Sequence, residues 1–347
     1  MNDFLSENNE LPRVLLDLVA YYRGPGRKRL EELKSLFKNK KDVVFLGMGT
    51  SEFTPLCIQW DLSRLGFFCR IADAGEWYYY GTSPGQPESI LIFTSQSGES
   101  VEVKNFTNRE DIRGNYISIT NDERSTMAKN GRLTLPLCAG EEQSITTKTY
   151  TNNIALLHLI AAVMSPDDRL DRTLDELEAA VVTMKTPDSE TIKNAASSFA
   201  PSAPVIFVGR GHAHVSARQC ALTFMEGTRC ISASFTGGAF NHGPLEAVDK
   251  NTYLIVFQPK GRTYQLIENL LWQTRKLGAH VLSITDAASG LSDMDTLFIP
   301  RCEIEHSEYL FPILAAPVHN ILLYYIARNN GIEAGQFRYG GKITTRE

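Results

Sequence analysis

Four hydroxyl and amide side chains crowd into the six residues Ser95-Gln96-Ser97-Gly98-Glu99-Ser100. Where a strand turns into a helix, such a run points backbone N–H groups and hydroxyls at the positive helix end, which makes a cradle for phosphate or another anion. Gly98 lets an anion approach the main chain, and serines add donors without bulk. Helix capping would use one or two of these serines and leave the others unexplained.

Two further residues could move protons. Ala217, Ala221, Phe224 and Met225 recur at helical spacing and predict a buried helix face, with Glu226 in the last turn before Gly227. A negative helix end and burial both disfavour a carboxylate, so Glu226 is expected to titrate nearer neutrality, as a base for a weakly acidic C–H proton must. A surface glutamate closing a helix is the other reading of the same residues. His242 stands in a loop rich in glycine and proline, between Thr236-Gly237-Gly238 and Gly243-Pro244, where near-neutral titration suits acid–base work and a polar loop histidine is the alternative. His212 and His214 lie too close together to share one metal on a strand-to-helix turn without a third ligand, so no metal is expected. By itself Lys342 reads as a solvated charge near the C-terminus.

The elements that must position these residues alternate. Val43-Val44-Phe45-Leu46 runs into Gly47-Met48-Gly49-Thr50-Ser51 and then an amphipathic helix from near Pro55 to Gly66. Ile90-Leu91-Ile92-Phe93 leads into the serine run, and Tyr116-Ile117-Ser118-Ile119-Thr120 forms a third strand. Two helices precede them over residues 11–40, broken at Gly24-Pro25-Gly26. Strands alternating with helices predict a parallel sheet covered on both faces. The pattern then recurs: Val205 to Gly211 answers Val43 to Gly49, Leu254 to Phe257 answers Ile90 to Phe93, and Leu282 to Thr285 answers Ile117 to Thr120, at offsets of 162, 164 and 165 residues. One α/β unit is used twice. In the second copy the turn Gln258-Pro259-Lys260-Gly261-Arg262-Thr263 has lost the serines and gained a proline, so one phosphate site per chain is expected.

Composition narrows the class. With 347 residues, 43% apolar and 22% charged, the chain suits two ordinary globular domains. A net charge of −5 without a Lys/Arg block argues against nucleic acid as a partner. Six cysteines without a CxxC pair read as buried reduced thiols, and the polar start together with a longest apolar stretch of only Ile154 to Met164 predicts a cytoplasmic chain with no membrane span. Neither Gly47-Met48-Gly49 nor Gly209-Arg210-Gly211 continues to the third glycine of a dinucleotide fingerprint.

From about residue 35 to the end the chain resembles the SIS (sugar isomerase) domain proteins. Gly49-Thr50-Ser51, the serine run and Thr147-Lys148-Thr149-Tyr150-Thr151 resemble the sugar-phosphate loops of the isomerase half of glucosamine-6-phosphate synthase. The resemblance implies phosphate contacts at Thr50, Ser51, Ser95, Gln96, Ser97 and Ser100, with Thr147 and Lys148 in a substrate loop. It makes Glu226 the base, His242 the ring-opening acid–base group and Lys342 the counterpart of a catalytic lysine. No cofactor is implied. Because the family's histidine typically comes from a neighbouring subunit, the resemblance also implies a homodimer or higher homo-oligomer.

Departures refine the expectation. Asn2 follows Met1 where the synthase carries its N-terminal cysteine, so no release of ammonia from glutamine is expected, and Thr223 replaces the synthase's Schiff-base lysine. Met225-Glu226, His242-Gly243-Pro244-Leu245-Glu246 and Phe337-Arg338-Tyr339-Gly340-Gly341 look closer to fructoselysine 6-phosphate deglycases, which cleave a 6-phosphorylated sugar–amino acid adduct. An aldose–ketose phosphosugar isomerase or amino-sugar phosphate deaminase needs the same base, whereas a sugar-phosphate sensor needs only the cradle. The expected architecture is α/β: two tandem doubly wound, flavodoxin-like SIS domains at 35–166 and 201–330. Helices at 1–34 precede them, a helical connector at 167–200 joins them, and a tail at 331–347 closes the site at the carboxyl ends of the strands.

Overall fold

The computed structural model describes residues 3–81, 89–184, 188–200, 203–287, 295–304 and 307–344. The chain forms two compact units, one from residues 13–142, 148–178 and 338–347, the other from residues 1–12, 143–147 and 179–337.

In the first-sheet unit the strands are β1 (Asp42–Gly47), β2 (Phe68–Asp73), β3 (Ser89–Thr94), β4 (Ile117–Thr120) and β5 (Leu133–Pro136). They pair in parallel in the order β2-β1-β3-β4-β5. The second-sheet unit holds β6 (Val205–Gly209), β7 (Ser232–Thr236), β8 (Tyr253–Gln258), β9 (His280–Thr285) and β10 (Asp295–Phe298). Their order, β10-β9-β8-β6-β7, is again parallel and, read from the β7 edge, is the same second-first-third-fourth-fifth arrangement. Both halves are therefore the doubly wound α/β fold that the repeated pattern predicts.

Central strands are covered on both faces, so β8 is buried along its whole length and β3 along all but its first residue. Phe93 packs edge-on to Phe106 on one face of the first sheet, within a core that includes Leu46, Leu91, Val103, Tyr116 and Met127. The corresponding core of the second sheet gathers Val208, Leu254, Val256, Ile267, Leu271 and Val281. One glycine device appears in both halves. A Cβ on Gly47 would lie 2.6 Å from the carbonyl oxygen of Ser51, and one on Gly209 would lie 2.5 Å from that of Ala213. Only glycine lets the first strand of each half turn this tightly into its helix.

Three expectations need correction. The helix after β1 begins at Thr50, not near Pro55, and is broken: Thr50–Phe53 is α-helical, Thr54–Cys57 is a 3₁₀ turn with Pro55 at its start, and Gln59–Arg64 is α-helical again. Pro55 lacks the N–H that a continuous helix would use at that point. A further helix, Asp3–Asn9, precedes the anticipated Leu11–Arg23 and Arg27–Leu36. Finally, Ser307–Asn329 surpasses Ile154 to Met164 as the longest apolar element and is long and apolar enough to cross a membrane, yet 89% of its apolar window is buried inside the protein. It is a core helix, with two polar side chains, His319 and Asn320, taken inside as well. All six cysteines are free thiols, four buried and two (Cys69, Cys138) half-buried.

Candidate active site

In the first-sheet unit, β1 and β3 lie side by side at the centre, and their connections leave in opposite directions, β1 toward β2 and β3 toward β4. The crevice beyond their carboxyl ends is the topological switch point of such a sheet. Gly47–Ser51 and Ser95–Ser100 form its two rims. Thr50 is buried and Ser51 half-buried in the first turn of the helix after β1.

The serine turn is held by its neighbours. Ser95 N donates to Ile119 O at 3.0 Å, while Gln96 O accepts from Asn121 N at 3.0 Å and Thr120 Oγ1 at 3.2 Å. Gly98 has φ +63°, and a Cβ there would lie 2.3 Å from Ser125 Oγ. Ser95 Oγ accepts from Gly98 N at 3.1 Å and Ser97 Oγ from Glu99 N at 3.2 Å, so each hydroxyl keeps its own proton to donate. Ser100 Oγ is buried without a hydrogen-bond partner and makes no cap to the following helix, Val101–Thr107. Glu99 brings a negative charge beside this turn but is turned to its own partners: Thr126 N at 2.5 Å, Thr126 Oγ1 at 3.2 Å and Lys104 Nζ at 2.9 Å. Desolvation works to raise its carboxyl, but the bonds from Thr126 and Lys104 prevail and hold it below the ordinary glutamate value.

The C-terminal tail joins the same unit. Thr344 O accepts from Val101 N at 3.1 Å, the residue directly after the serine turn. Two positions earlier, Lys342 Nζ donates to Glu142 Oε2 at 2.5 Å. Of the two residues expected in a substrate loop, Lys148 is 1% exposed and donates to Glu141 O at 2.5 Å. Thr147, also buried, donates to Glu7 Oε2 at 3.2 Å within the second-sheet unit. Glu7 in turn accepts from Gln143 N at 2.6 Å. Buried Glu7 and Glu142 went unread in the sequence, where an acidic residue in a polar stretch looks like any solvated one.

Glu226 is half-buried in the last turn of the helix Ala213–Thr228. Gly227 does not end that helix. Its missing side chain leaves room for Leu323, whose Cδ2 would lie 2.6 Å from an added Cβ. The helix ends instead at Arg229, with φ +62°, whose guanidinium donates to the carbonyl of Glu226 and to that of Gln336. Because β6 and β7 are parallel, the helix between them runs back toward the amino edge of the sheet. Ser232, the first residue of β7, donates to Ala221 O at 2.6 Å and marks that edge. Glu226 therefore lies beyond it, not at the carboxyl ends. His242 is exposed in the turn after Gly237–Phe240, on the carboxyl side, where Arg210 from the end of β6 packs against Gly237. About 20 Å of helix lies between the two edges.

His214 is half-buried beside Arg218, and burial first, then that cation, lowers it to about 4. His212 faces Tyr309, with ring centroids 6.5 Å apart. At the second half's counterpart of the serine turn, Glu308 Oε2 accepts from Arg262 N at 3.4 Å and would lie 2.3 Å from a Cβ on Gly261. A carboxylate of the chain itself fills that turn.

Known proteins share this fold. The SIS domain model matches residues 36–163 and 198–328, one segment for each sheet. The chain belongs to the SIS domain family. Among curated SIS relatives, glutamine–fructose-6-phosphate aminotransferase (isomerizing) of Zymomonas mobilis is 25% identical over 97% of this chain and 58% of that protein. Its Escherichia coli K12 counterpart is 24% identical over the same shares. The chain thus spans little more than half the length of these relatives. Among solved structures, the C-terminal domain of glucosamine-fructose-6-phosphate aminotransferase from Francisella tularensis aligns with a TM-score of 0.87 at 20% identity, covering 97% of this chain and 98% of that one. Tagatose-6-phosphate ketose/aldose isomerase from Escherichia coli aligns at 0.76 and 19% identity, covering 97% and 96%. These likenesses establish the SIS fold in both halves.

Proposed function

We propose that the chain is a phosphosugar enzyme that moves a proton between C1 and C2 of a sugar 6-phosphate, and that its substrate is a ketoamine adduct of that sugar with an amino acid. The observation that carries the reading is the serine turn. Its hydroxyls keep their protons while accepting main-chain N–H groups, and Ser100 Oγ, buried without a partner, is completed by a ligand oxygen. Ser95, Gln96, Ser97 and Ser100, with Thr50 and Ser51 on the other rim, hold the phosphate.

Glu226 takes the C1 proton, giving an enaminol, and returns a proton to C2, leaving a C1 imine. Water adds to the imine carbon and the C–N bond breaks, releasing the amino acid and the aldose 6-phosphate. No electrons are gained or lost overall, and no cofactor is needed. His242 opens the ring. Since Glu226 and His242 occupy opposite edges of one sheet, the reading takes the histidine from a second copy of the chain, in a homodimer operating in the cytoplasm.

The relatives named for aldose–ketose isomerisation and aminotransfer handle related sugar phosphates, which supports simple isomerisation as a second reading. Purified protein incubated with 6-phosphorylated fructosyl amino acids, fructose 6-phosphate and glucosamine 6-phosphate separates the readings. Released amino acid together with aldose 6-phosphate is expected. A shifted ketose/aldose ratio without amine release would replace the deglycase by an isomerase. Retained ligand binding without turnover of any compound would make the chain a sensor.

A further inference from the structure

We propose that Glu142 is a positioning residue that latches the C-terminal tail over the serine turn and sets the place of Lys342. The Glu142 side chain is fully buried. Its carboxylate accepts from Thr149 N at 3.0 Å, Thr149 Oγ1 at 2.8 Å and Lys342 Nζ at 2.5 Å. Thr149 belongs to the first turn of the helix Lys148–Met164 and supplies neutral donors; Lys342 brings the positive charge. A carboxylate taken out of water requires a cation close by, and Lys342, itself 20% exposed, is drawn inward to meet it.

The described part of the tail around this pair is irregular. Residues 338–344 form neither helix nor strand, Tyr339 is 90% exposed, and an added Cβ on Gly340 or Gly341 would meet open space. Among the described residues the tail is held by the Glu142–Lys342 pair and by the Thr344 O to Val101 N bond two residues on. The second joins the tail to the residue after Ser100. Releasing the first frees the lysine and loosens the second, so Glu142 acts on the phosphate turn through the tail rather than by touching substrate.

Tail docking stands independently of the proposed activity; the effect on turnover rests on that activity. Limited trypsin digestion of the full chain reads docking directly, because Lys342 and Arg338 are cleavage sites. Glu142→Gln is expected to speed cleavage after Lys342 at least tenfold. Should that variant fail to fold, Lys342→Met reads the latch from the other side, by faster cleavage after Arg338. Unchanged cleavage in the folded variants overturns the proposal, whether or not the protein turns over a sugar phosphate. Where turnover is measured, Glu142→Gln and Lys342→Met are expected to lower kcat by similar factors, and the double variant no further. Multiplicative losses would overturn the positioning role and leave Glu142 as a fold residue alone.

Discussion

The Ser232 hydroxyl donates to the carbonyl of Ala221 at 2.6 Å, and that bond fixes which edge of the second sheet Glu226 occupies. The helix passes the first residue of β7 and continues for more than a turn, carrying Glu226 away from the edge where His242 stands. On the proposed function the two groups then serve different sites of a dimer, which gives the first prediction.

Glu226→Gln and His242→Ala should each reduce turnover by about 10²- to 10⁴-fold, the range for loss of an acid–base group. Co-expressed in one cell, the two variants should form hybrid dimers in which one of the two sites is intact. Random pairing then restores about a quarter of wild-type activity. A mixture no more active than its components would remove the shared site.

Gly98→Ala places a methyl against Ser125 Oγ at a positive φ. A strained backbone position of this kind costs about 1–3 kcal/mol. The serine turn should shift, so phosphate affinity measured by calorimetry is expected to fall more steeply than thermal stability. An unaltered Kd would detach the turn from phosphate.

Gly227→Ala tests packing beneath Glu226. The added methyl meets Leu323 at 2.6 Å and Ile145 at 3.2 Å, and overpacking of this kind costs about 1–3 kcal/mol. The denaturation midpoint should fall, and kcat should fall with it while KM changes little. Were Gly227 present only to end the helix, stability would change without that loss of kcat.

Acid should weaken the fold before the carboxylates titrate. Burial lowers His319 to about 3, and burial with Arg218 lowers His214 to about 4, whereas unfolded histidine titrates near 6.5. Above pH 6.5 both states are neutral and stability is flat. Below it the unfolded chain takes up protons that the folded chain refuses, so stability falls by up to about 1.4 kcal/mol per pH unit for each imidazole. Urea unfolding at pH 6.5 and pH 5.0 checks this, and His319→Leu should reduce the slope by about half. An identical slope in that variant would mean that this ring does not drive the acid response.

How far the sequence disclosed these features followed burial. β1, β3, β6 and β8 are covered on both faces, and their unbroken apolar runs made the duplication readable. Their partners β2 and β7 are edge strands with mixed exposure; Phe68 is 72% exposed, and Ser232-Ala233-Ser234-Phe235-Thr236 carries no apolar run to find. The serine turn was legible because one local stretch contains all its donors. Glu142 and Lys342 are two hundred residues apart, and their pairing depends on a fold that no local pattern encodes.

Glu308 carries a last consequence. A carboxylate tethered beside the Gly261 turn meets that turn as an intramolecular partner, in competition with any dissolved anion. Corresponding turns of the duplicated halves thus differ in charge: the first presents serine hydroxyls, the second receives carboxylates of its own chain, Glu308 at Arg262 N and Asp286 at Lys260 N.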